Sequence, residues 1–366
     1  MVKKKKIAVI GLKGLPAYGG AASVGGNLIE QLKHEFDFYV YAVSSHTNLE
    51  TGEYNGIHHI VFNSIKYKKL NIIIYYIRSA IHGVLRADYD LVHLHHRDAI
   101  FISLLLKIKY RLVLTTHGTV PTEKWSRYSG IFSIQDKVFF KLPTVVVCPS
   151  KKDREYVLQF RNNSVYFIPN GATFSSDFKK TNINRTNTVS FAAGRIVPSK
   201  GCHNLLEALK MINFKGELFV AGDLSQMKKY SDELLHRADG LNVRWLGLIK
   251  EKEKLFSILS RSDLFIFPSE LESMSMMLLE AASLGIPIIA SDIRENKDVF
   301  NEDEVLFYQV DNINDLAAKI EWAFSNYDKM INKSKVAIQR LKNQNQWPQI
   351  ARQYQSIYEM LLTHER

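Results

Sequence analysis

Cysteine is nearly absent from this chain of 366 residues: Cys148 and Cys202 stand far apart and neither has a C-x-x-C partner. The scarcity excludes a disulfide framework and a cysteine-built zinc site, and it predicts two reduced, buried thiols in a cytosolic protein. Long apolar runs are missing as well. No stretch reaches the ~18 uninterrupted apolar residues that a bilayer-crossing helix needs. Met1-Val2-Lys3-Lys4-Lys5-Lys6 leads into Ile7-Ala8-Val9-Ile10-Gly11, too short for a signal-peptide core and without a small-residue cleavage pattern, so it reads as a first β-strand. Internal repeats of solenoid or propeller length are also lacking. What is present is ordinary globular material, 46% apolar and 23% charged, which excludes disordered and collagen-like chains and predicts about two domains.

Acidic residues are what the first half lacks. Residues 1–180 hold 25 Lys/Arg against 13 Asp/Glu, a net +12, while residues 181–366 hold 23 against 24, a net −1. A surplus confined to one half suggests an anionic partner, nucleic acid or a phospholipid surface. The plain alternative is a basic solvated surface. No RNA or DNA module appears and the basic residues have no interleaved aromatic platform, which argues against nucleic acid. Lys3–Lys6, Lys66, Lys68, Lys69 and the stretch Leu70–Ile77 fit a protein lying on an anionic leaflet, although Ile72–Ile77 also reads as a buried helix.

Short apolar runs alternate with helical patterns, which predicts parallel α/β construction. In the first half strands are predicted at 7–10, 38–43, 91–94, 112–116, 144–148 and 165–168, with helices notably at 21–34 and 71–86. Residues 172–188 are polar and rich in turn formers, as in an interdomain connection. A second series follows, with strands near 189–193, 217–221, 243–246, 264–267 and 287–290 and helices near 201–211, 226–236, 251–260 and 274–284. Two doubly wound units are therefore expected, with ligands at the carboxyl ends of the strands and a cleft between the units as the natural site. The tail, 346–364, carries Ile350, Tyr354, Ile357, Tyr358 and Leu361 at helical spacing, an amphipathic helix with one face to bury.

Three segments could carry chemistry. Gly11-Leu12-Lys13-Gly14-Leu15-Pro16-Ala17-Tyr18-Gly19-Gly20 leads into a helix, where glycines and helix amides suit a phosphate, but it lacks the dinucleotide spacing and a tight strand-to-helix turn explains it equally. Gly194-Arg195-Ile196-Val197-Pro198-Ser199-Lys200-Gly201 supplies two cations five residues apart, a pair suited to a diphosphate or else a solvated loop. In the segment from Pro268 to Ala282, Glu272 is expected in the loop, a helix begins near Met274, and Glu280 lies about two turns into it. A carboxylate there suits the vicinal hydroxyls of a ribose, though a glutamate pair near a helix start also serves capping and solvation. His93, His95 and His96 alternate beside a strand without a further ligand at metal-binding spacing. Asp88-Tyr89-Asp90 has D-x-D spacing but reads as the lead-in to a strand.

In this order these segments resemble the retaining family 4 glycosyltransferases of GT-B fold. The likeness spans nearly the whole chain, with Thr116-His117-Gly118, Pro149-Ser150, Pro169-Asn170-Gly171, Ala221-Gly222-Asp223, Leu246-Gly247, Gly285-Ile286-Pro287 and Trp347 also in place. The first loop and Thr116 to Trp125 are similar to the rhamnosyltransferase-like branch that acts on bacterial surface polysaccharides. The resemblance implies two Rossmann-like domains, 1–172 on the acceptor side and 173–345 for the nucleotide sugar, and a terminal helix, 346–366, crossing back onto the first. It implies that Arg195 and Lys200 hold the donor diphosphate, Glu280 the ribose, and Glu272 and His117 the donor sugar. Gly19 and Gly20 would admit the diphosphate, and the backbone of Ser273, Met274, Ser275 and Met276 would touch sugar or phosphate. Position 273 is serine where the family has glycine. The resulting expectation is a retaining transferase without metal or cofactor. It would move sugar from a nucleotide-diphosphate donor, UDP favoured, to a saccharide acceptor carried on undecaprenyl diphosphate, in the cytoplasm or peripherally on the inner face of the plasma membrane. A sugar-nucleotide epimerase of the same fold is the alternative reading.

Overall fold

The computed structural model describes residues 3–16, 19–118, 136–174 and 187–363. Ala17 and Tyr18 of the first loop, residues 119–125 and most of the 172–188 connection lie outside the described residues. The chain divides into two compact units, Met1–Asn170 with Trp347–Arg366, and Gly171–Gln346.

The first unit holds a sheet in the order β3-β4-β2-β1-β5-β6-β7-β8. Its strands are β1 (Lys5–Lys13), β2 (Phe36–Val43), β3 (Gly52–Tyr54), β4 (Ile57–Phe62), β5 (Leu91–His95), β6 (Leu112–Thr115), β7 (Val145–Cys148) and β8 (Val165–Phe167). Neighbours pair in parallel except for the β3/β4 hairpin. The central strands are continuous apolar runs because both faces are covered: Ile7–Ile10, Leu112–Leu114 and Val145–Cys148 are buried throughout. The hairpin escapes the apolar-run pattern since the adjacent His58 and His59 interrupt β4, and the hairpin lies at the sheet edge. Its turn, Asn55-Gly56 at φ 52° and 74°, is the two-residue signal that identifies it.

Helices named among the described residues of this unit are α1 (Gly20–Leu32), α2 (Lys68–Arg86), α3 (Ser103–Leu106) and α4 (Lys151–Leu158). Ser150 caps α4 by accepting from the Asp153 amide at 3.0 Å. The expectation that Ile72–Ile77 is simply a buried helix holds for only one side of α2, since Tyr75 and Tyr76 are buried while Ile73 and Ile77 are exposed. A single helical turn points residues both ways.

The second unit has the sheet order β11-β10-β9-β12-β13-β14, all parallel. Its strands are β9 (Thr188–Arg195), β10 (Glu217–Asp223), β11 (Asn242–Gly247), β12 (Leu264–Phe267), β13 (Ile288–Ser291) and β14 (Leu306–Tyr308). The helices are α5 (Cys202–Met211), α6 (Lys228–Arg237), α7 (Lys252–Leu259), α8 (Met276–Ser283), α9 (Arg294–Lys297), α10 (Ile313–Ser325) and α11 (Tyr327–Gln344). Leu205 and Leu209 of α5 and Leu316 and Ile320 of α10 close a core over Val189, Phe191 and Val220.

The last helix, α12 (Trp347–Thr363), belongs to the first unit. Its stripe of Ile350, Tyr354, Ile357, Tyr358 and Leu361 is buried, and it packs on α1 and β5. Arg111 donates to the Leu361 carbonyl. Both cysteines are buried, and burial pushes each thiol up to about 12. Among the described residues no helix is long and apolar enough to cross a membrane.

Candidate active site

In an open parallel sheet the ligand crevice lies where neighbouring strands send their following helices to opposite faces. The strand orders place that point between β9 and β12 in the second unit and between β1 and β5 in the first. Most residues singled out by sequence follow one of these strands, and His117 follows β6.

In the second unit the loops after β9 and β12 are clamped together. Gly201, at φ 67°, lies so close to Pro268 that an added Cβ would stand 2.0 Å from the Pro268 carbonyl oxygen. Only glycine fits that position. The Glu270 amide donates to the Ser199 carbonyl at 2.9 Å, and Lys200 Nζ meets Glu272 Oε1 at 2.5 Å. The Glu272 side chain is about nine-tenths buried and that of Lys200 about three-quarters. Arg195, at the carboxyl end of β9, is exposed, and its side chain makes no hydrogen bond or ion pair among the described residues. On the opposite flank Ser291 of β13 donates to the Ser269 carbonyl, and Asn296 Nδ2 donates to Ser291.

The helix here begins at Met276, with Ser275 as its cap, rather than near Met274. Ser275 Oγ accepts from the Leu278 amide at 3.4 Å, a bond that serine makes before the first turn and cannot make within it. The amides of Met276 and Met277 are thereby left at the helix end without intrahelical acceptors. Glu280 sits four residues in, about one turn (~6 Å) from the start rather than two. Its carboxylate is buried and pairs with Lys252 Nζ of α7 at 2.7 Å, and the same ammonium donates to Thr173 Oγ1 at 3.0 Å. Lys252 gave no signal in the sequence, because it lies 28 residues before its partner on a helix whose one other lysine, Lys254, faces solvent. The second unit thus brings Lys200, Glu272, Ser273 and the capped end of α8 into one constellation, with Glu280 fixed by Lys252 further along α8.

In the first unit, β1 continues beyond Ile10 to Lys13, with a register shift after Val9, so the first loop is shorter than the sequence suggests. Two of its glycines serve protein packing. A Cβ on Gly11 would lie 1.9 Å from the His95 carbonyl oxygen, and one on Gly14 would lie 2.8 Å from Thr47 Cβ. Gly19 and Gly20, at the start of α1, have open space where a side chain would stand.

Histidines gather at the carboxyl ends of β5 and β6. His95 Nδ1 and His117 Nε2 lie 3.2 Å apart with rings stacked, and the His93 and His95 rings are 4.1 Å between centroids. His93 is bonded on both sides, to Tyr358 Oη of α12 at 2.6 Å and Thr115 Oγ1 at 2.8 Å. Burial, with His117 adding to it, lowers His93 to about 3, and burial with neighbouring imidazoles holds His95 and His117 well below the usual histidine range. All three are therefore neutral near pH 7, and each contact needs one ring or hydroxyl to donate and the other to accept. His117 has φ 59°, an uncommon backbone for a side-chain-bearing residue, with Gly118 following at 104°. The Gly118 amide donates to Asp153 Oδ2 at 3.1 Å, which secures the turn. Spacing alone suggested His95 only as a metal ligand. Among the described residues no group of three His, Cys, Asp or Glu side chains is arranged to hold a metal ion. Asp90 instead accepts from the Lys6 amide and the Lys5 ammonium, which ties the start of β1 to the start of β5.

Comparison with known proteins gives matches along most of the chain. Residues 18–174 match the family described as Glycosyltransferase Family 4, and residues 173–343 match Glycosyl transferases group 1. An uncharacterized glycosyltransferase of Methanocaldococcus jannaschii is 26% identical over 83% of this chain and 84% of its own. The Staphylococcus aureus capsular polysaccharide biosynthesis glycosyltransferase CapH is 25% identical over 77% and 80%. The Escherichia coli UDP-Gal:alpha-D-GlcNAc-diphosphoundecaprenol alpha-1,3-galactosyltransferase is 27% identical over 58% and 60%. Among solved structures, the sucrose-phosphate synthase of Thermosynechococcus elongatus superposes with a TM-score of 0.83 at 19% identity, covering 98% of this chain and 99% of that one. Anabaena HepE in complex with UDP-glucose gives 0.77 at 17%, covering 97% and 100%. Two Rossmann-like units with parallel sheets, family matches that together run from 18 to 343, and relatives that transfer sugars lead to one conclusion: the chain belongs to the GT-B glycosyltransferases of family 4 and group 1.

Proposed function

We propose that the enzyme takes a sugar from a nucleoside diphosphate donor, UDP-sugars first, and passes it with retained anomeric configuration to a saccharide on a lipid diphosphate carrier. The reaction needs no metal and belongs to surface-polysaccharide assembly at the inner face of the plasma membrane. The observation that carries the donor half is the constellation at the β9/β12 switch point, where Lys200 and Glu272 pair before the capped start of α8 and the exposed Arg195 ends β9. The acceptor half is supported by the relatives named for capsular polysaccharide and for a diphosphoundecaprenol-linked acceptor.

In the proposed step the bond between the anomeric carbon and the donor phosphate oxygen breaks. The acceptor hydroxyl oxygen bonds to that carbon from the same face, and its proton passes to the departing diphosphate. Negative charge builds on the diphosphate, so prearranged cations and amides aimed there lower the barrier most. This reading gives Arg195 a forked contact and Lys200 a point charge, shared with Glu272 once donor arrives. Met276 and Met277 offer helix-end amides. Following the family resemblance, Glu280 takes the ribose hydroxyls, held by Lys252, while Glu272 and His117 take the donor sugar. Gly19 and Gly20 leave room for the diphosphate, and the backbone of Ser273 to Met276 touches sugar or phosphate.

The test is transfer by the purified protein from UDP-, GDP- and dTDP-sugars to undecaprenyl-diphosphate saccharides, with and without chelator, and with the product anomer read by NMR. The expected outcome is transfer from a UDP-sugar, unchanged by EDTA, with the donor's configuration kept. Activity abolished by EDTA and restored by magnesium or manganese removes the metal-free claim. Conversion of the donor sugar to an epimer, with no transfer, replaces the reading altogether.

A further inference from the structure

Helix α2 carries two apolar faces, and among the described residues only one of them is covered by the fold. The inner face is core: Tyr75, Tyr76 and Ala80 are buried, and Tyr75 Oη accepts from the Gly11 amide at 3.1 Å while donating to the Tyr41 carbonyl at 2.9 Å. The outer face holds Leu70, Ile73, Ile77, Ile81 and Leu85, all 42–75% exposed. Their spacing of three, four, four and four keeps them in one stripe, about 22 Å long at 1.5 Å per residue. Single exposed apolar residues need no explanation, but a surface helix in water normally turns charge outward along such a line. Leu104 and Ile108, on the segment that begins with α3 beside α2, add two more exposed apolar side chains.

Charge identifies the occupant. Between Glu53 and Asp88 the chain has no acidic residue and five basic ones, Lys66, Lys68, Lys69, Arg78 and Arg86. Four of these belong to α2 itself, and Arg78 and Arg86 are exposed. An aliphatic stripe on a helix with cations and no anions matches the headgroup boundary of an anionic leaflet, where acyl chains receive the stripe and lipid phosphates face the cations. A second copy of the chain fits less well, because two-fold pairing of this face sets one all-basic helix against another.

We infer that the outer face of α2 is a docking surface for an anionic lipid bilayer. This deepens the lipid-linked-acceptor reading above, yet it is measured without donor or acceptor, so the two fail separately. The full-length protein is sedimented with vesicles of phosphatidylcholine alone and of phosphatidylcholine mixed with phosphatidylglycerol. It should bind the mixed vesicles, more weakly as salt rises, and the neutral ones far less. Replacing Ile77→Glu and Ile81→Glu together should lower affinity for the mixed vesicles by about tenfold or more, whereas Ile77→Leu should not. Both positions are on the surface, so circular dichroism and the thermal midpoint should stay as in the wild type, and transfer to a water-soluble acceptor should persist. Equal sedimentation of the glutamate variant and the wild type overturns the inference. So does equal binding to neutral vesicles, or a wild-type dimer in light scattering that the glutamates convert to monomer. Intact vesicle binding with no transfer to any lipid-linked acceptor leaves the docking surface standing and removes the acceptor reading alone.

Discussion

Lowering the pH from 7 to 5 should destabilise the first unit, with His93 alone contributing about 2 kcal/mol. His93 is fully buried on β5 between Tyr358 and Thr115, and burial holds its imidazole down to about 3. In the unfolded chain the same ring titrates near the ordinary 6.5. As pH falls the unfolded state therefore takes up the proton first, and stability drops from about 6.5 downward, ceasing to drop near 3. Between pH 7 and 5 this amounts to about 1.4 units of differential protonation, or about 2 kcal/mol at 1.36 kcal/mol per unit. His95 and His117 act in the same direction. The assay is urea unfolding at both pH values for wild type and His93→Gln, whose amide can still meet one of the two hydroxyls. The variant starts less stable but should lose about 2 kcal/mol less on acidification. Nitrogen-15 NMR of the rings should show His93 neutral at pH 5. Parallel pH profiles for the two proteins, or a His93 ring that protonates by pH 6, would refute the reasoning.

Removing Glu280 should act mainly on the donor. Glu280→Ala is expected to raise KM for the sugar nucleotide about tenfold at a stability cost near 1 kcal/mol, because its partner Lys252 is part-exposed; steady-state kinetics and a thermal melt read both. Lys252→Met should reproduce a weaker form of the KM effect by freeing the carboxylate. Lys200→Ala should lower kcat about 100-fold, the scale of one lost charge-stabilising group, while leaving the melting temperature within a few degrees of wild type. Gly201→Ala should destabilise the second unit by more than the ~1–2 kcal/mol of a left-handed backbone, since its Cβ would fall on the Pro268 carbonyl. Calorimetry that shows an unchanged second unit would refute the clamp between the two loops.

The alternation of apolar runs with helical patterns made both sheets legible, since parallel strands covered on both faces must be apolar along their length. It missed the β3/β4 hairpin, where histidines break the run beside the sheet edge, and β14, whose three residues are too short to show a period. Arg195, Lys200 and Glu272 stand out in the sequence because each lies at or just after a strand end within one local segment. The start of α8 was misplaced by two residues because capping by Ser275 depends on which serine of Ser273-Met274-Ser275 adopts the extended backbone. Lys252 and the pairing of His95 with His117 were beyond the sequence, because they join residues on separate elements.

By itself the sequence determined the parallel α/β class, the division into two units, the glycosyltransferase resemblance and the concentration of positive charge in the first half. Those properties are local or additive: they follow from periodicity, from motif order and from counting. Tertiary structure alone decided that α12 buries its stripe against α1 and β5, that Glu280 is paired with Lys252, and that the aliphatic stripe of α2 faces outward rather than into the core. Each of these depends on which surface meets which across dozens or hundreds of residues, and a helix with two apolar faces carries no mark in its sequence to say which one the fold will cover.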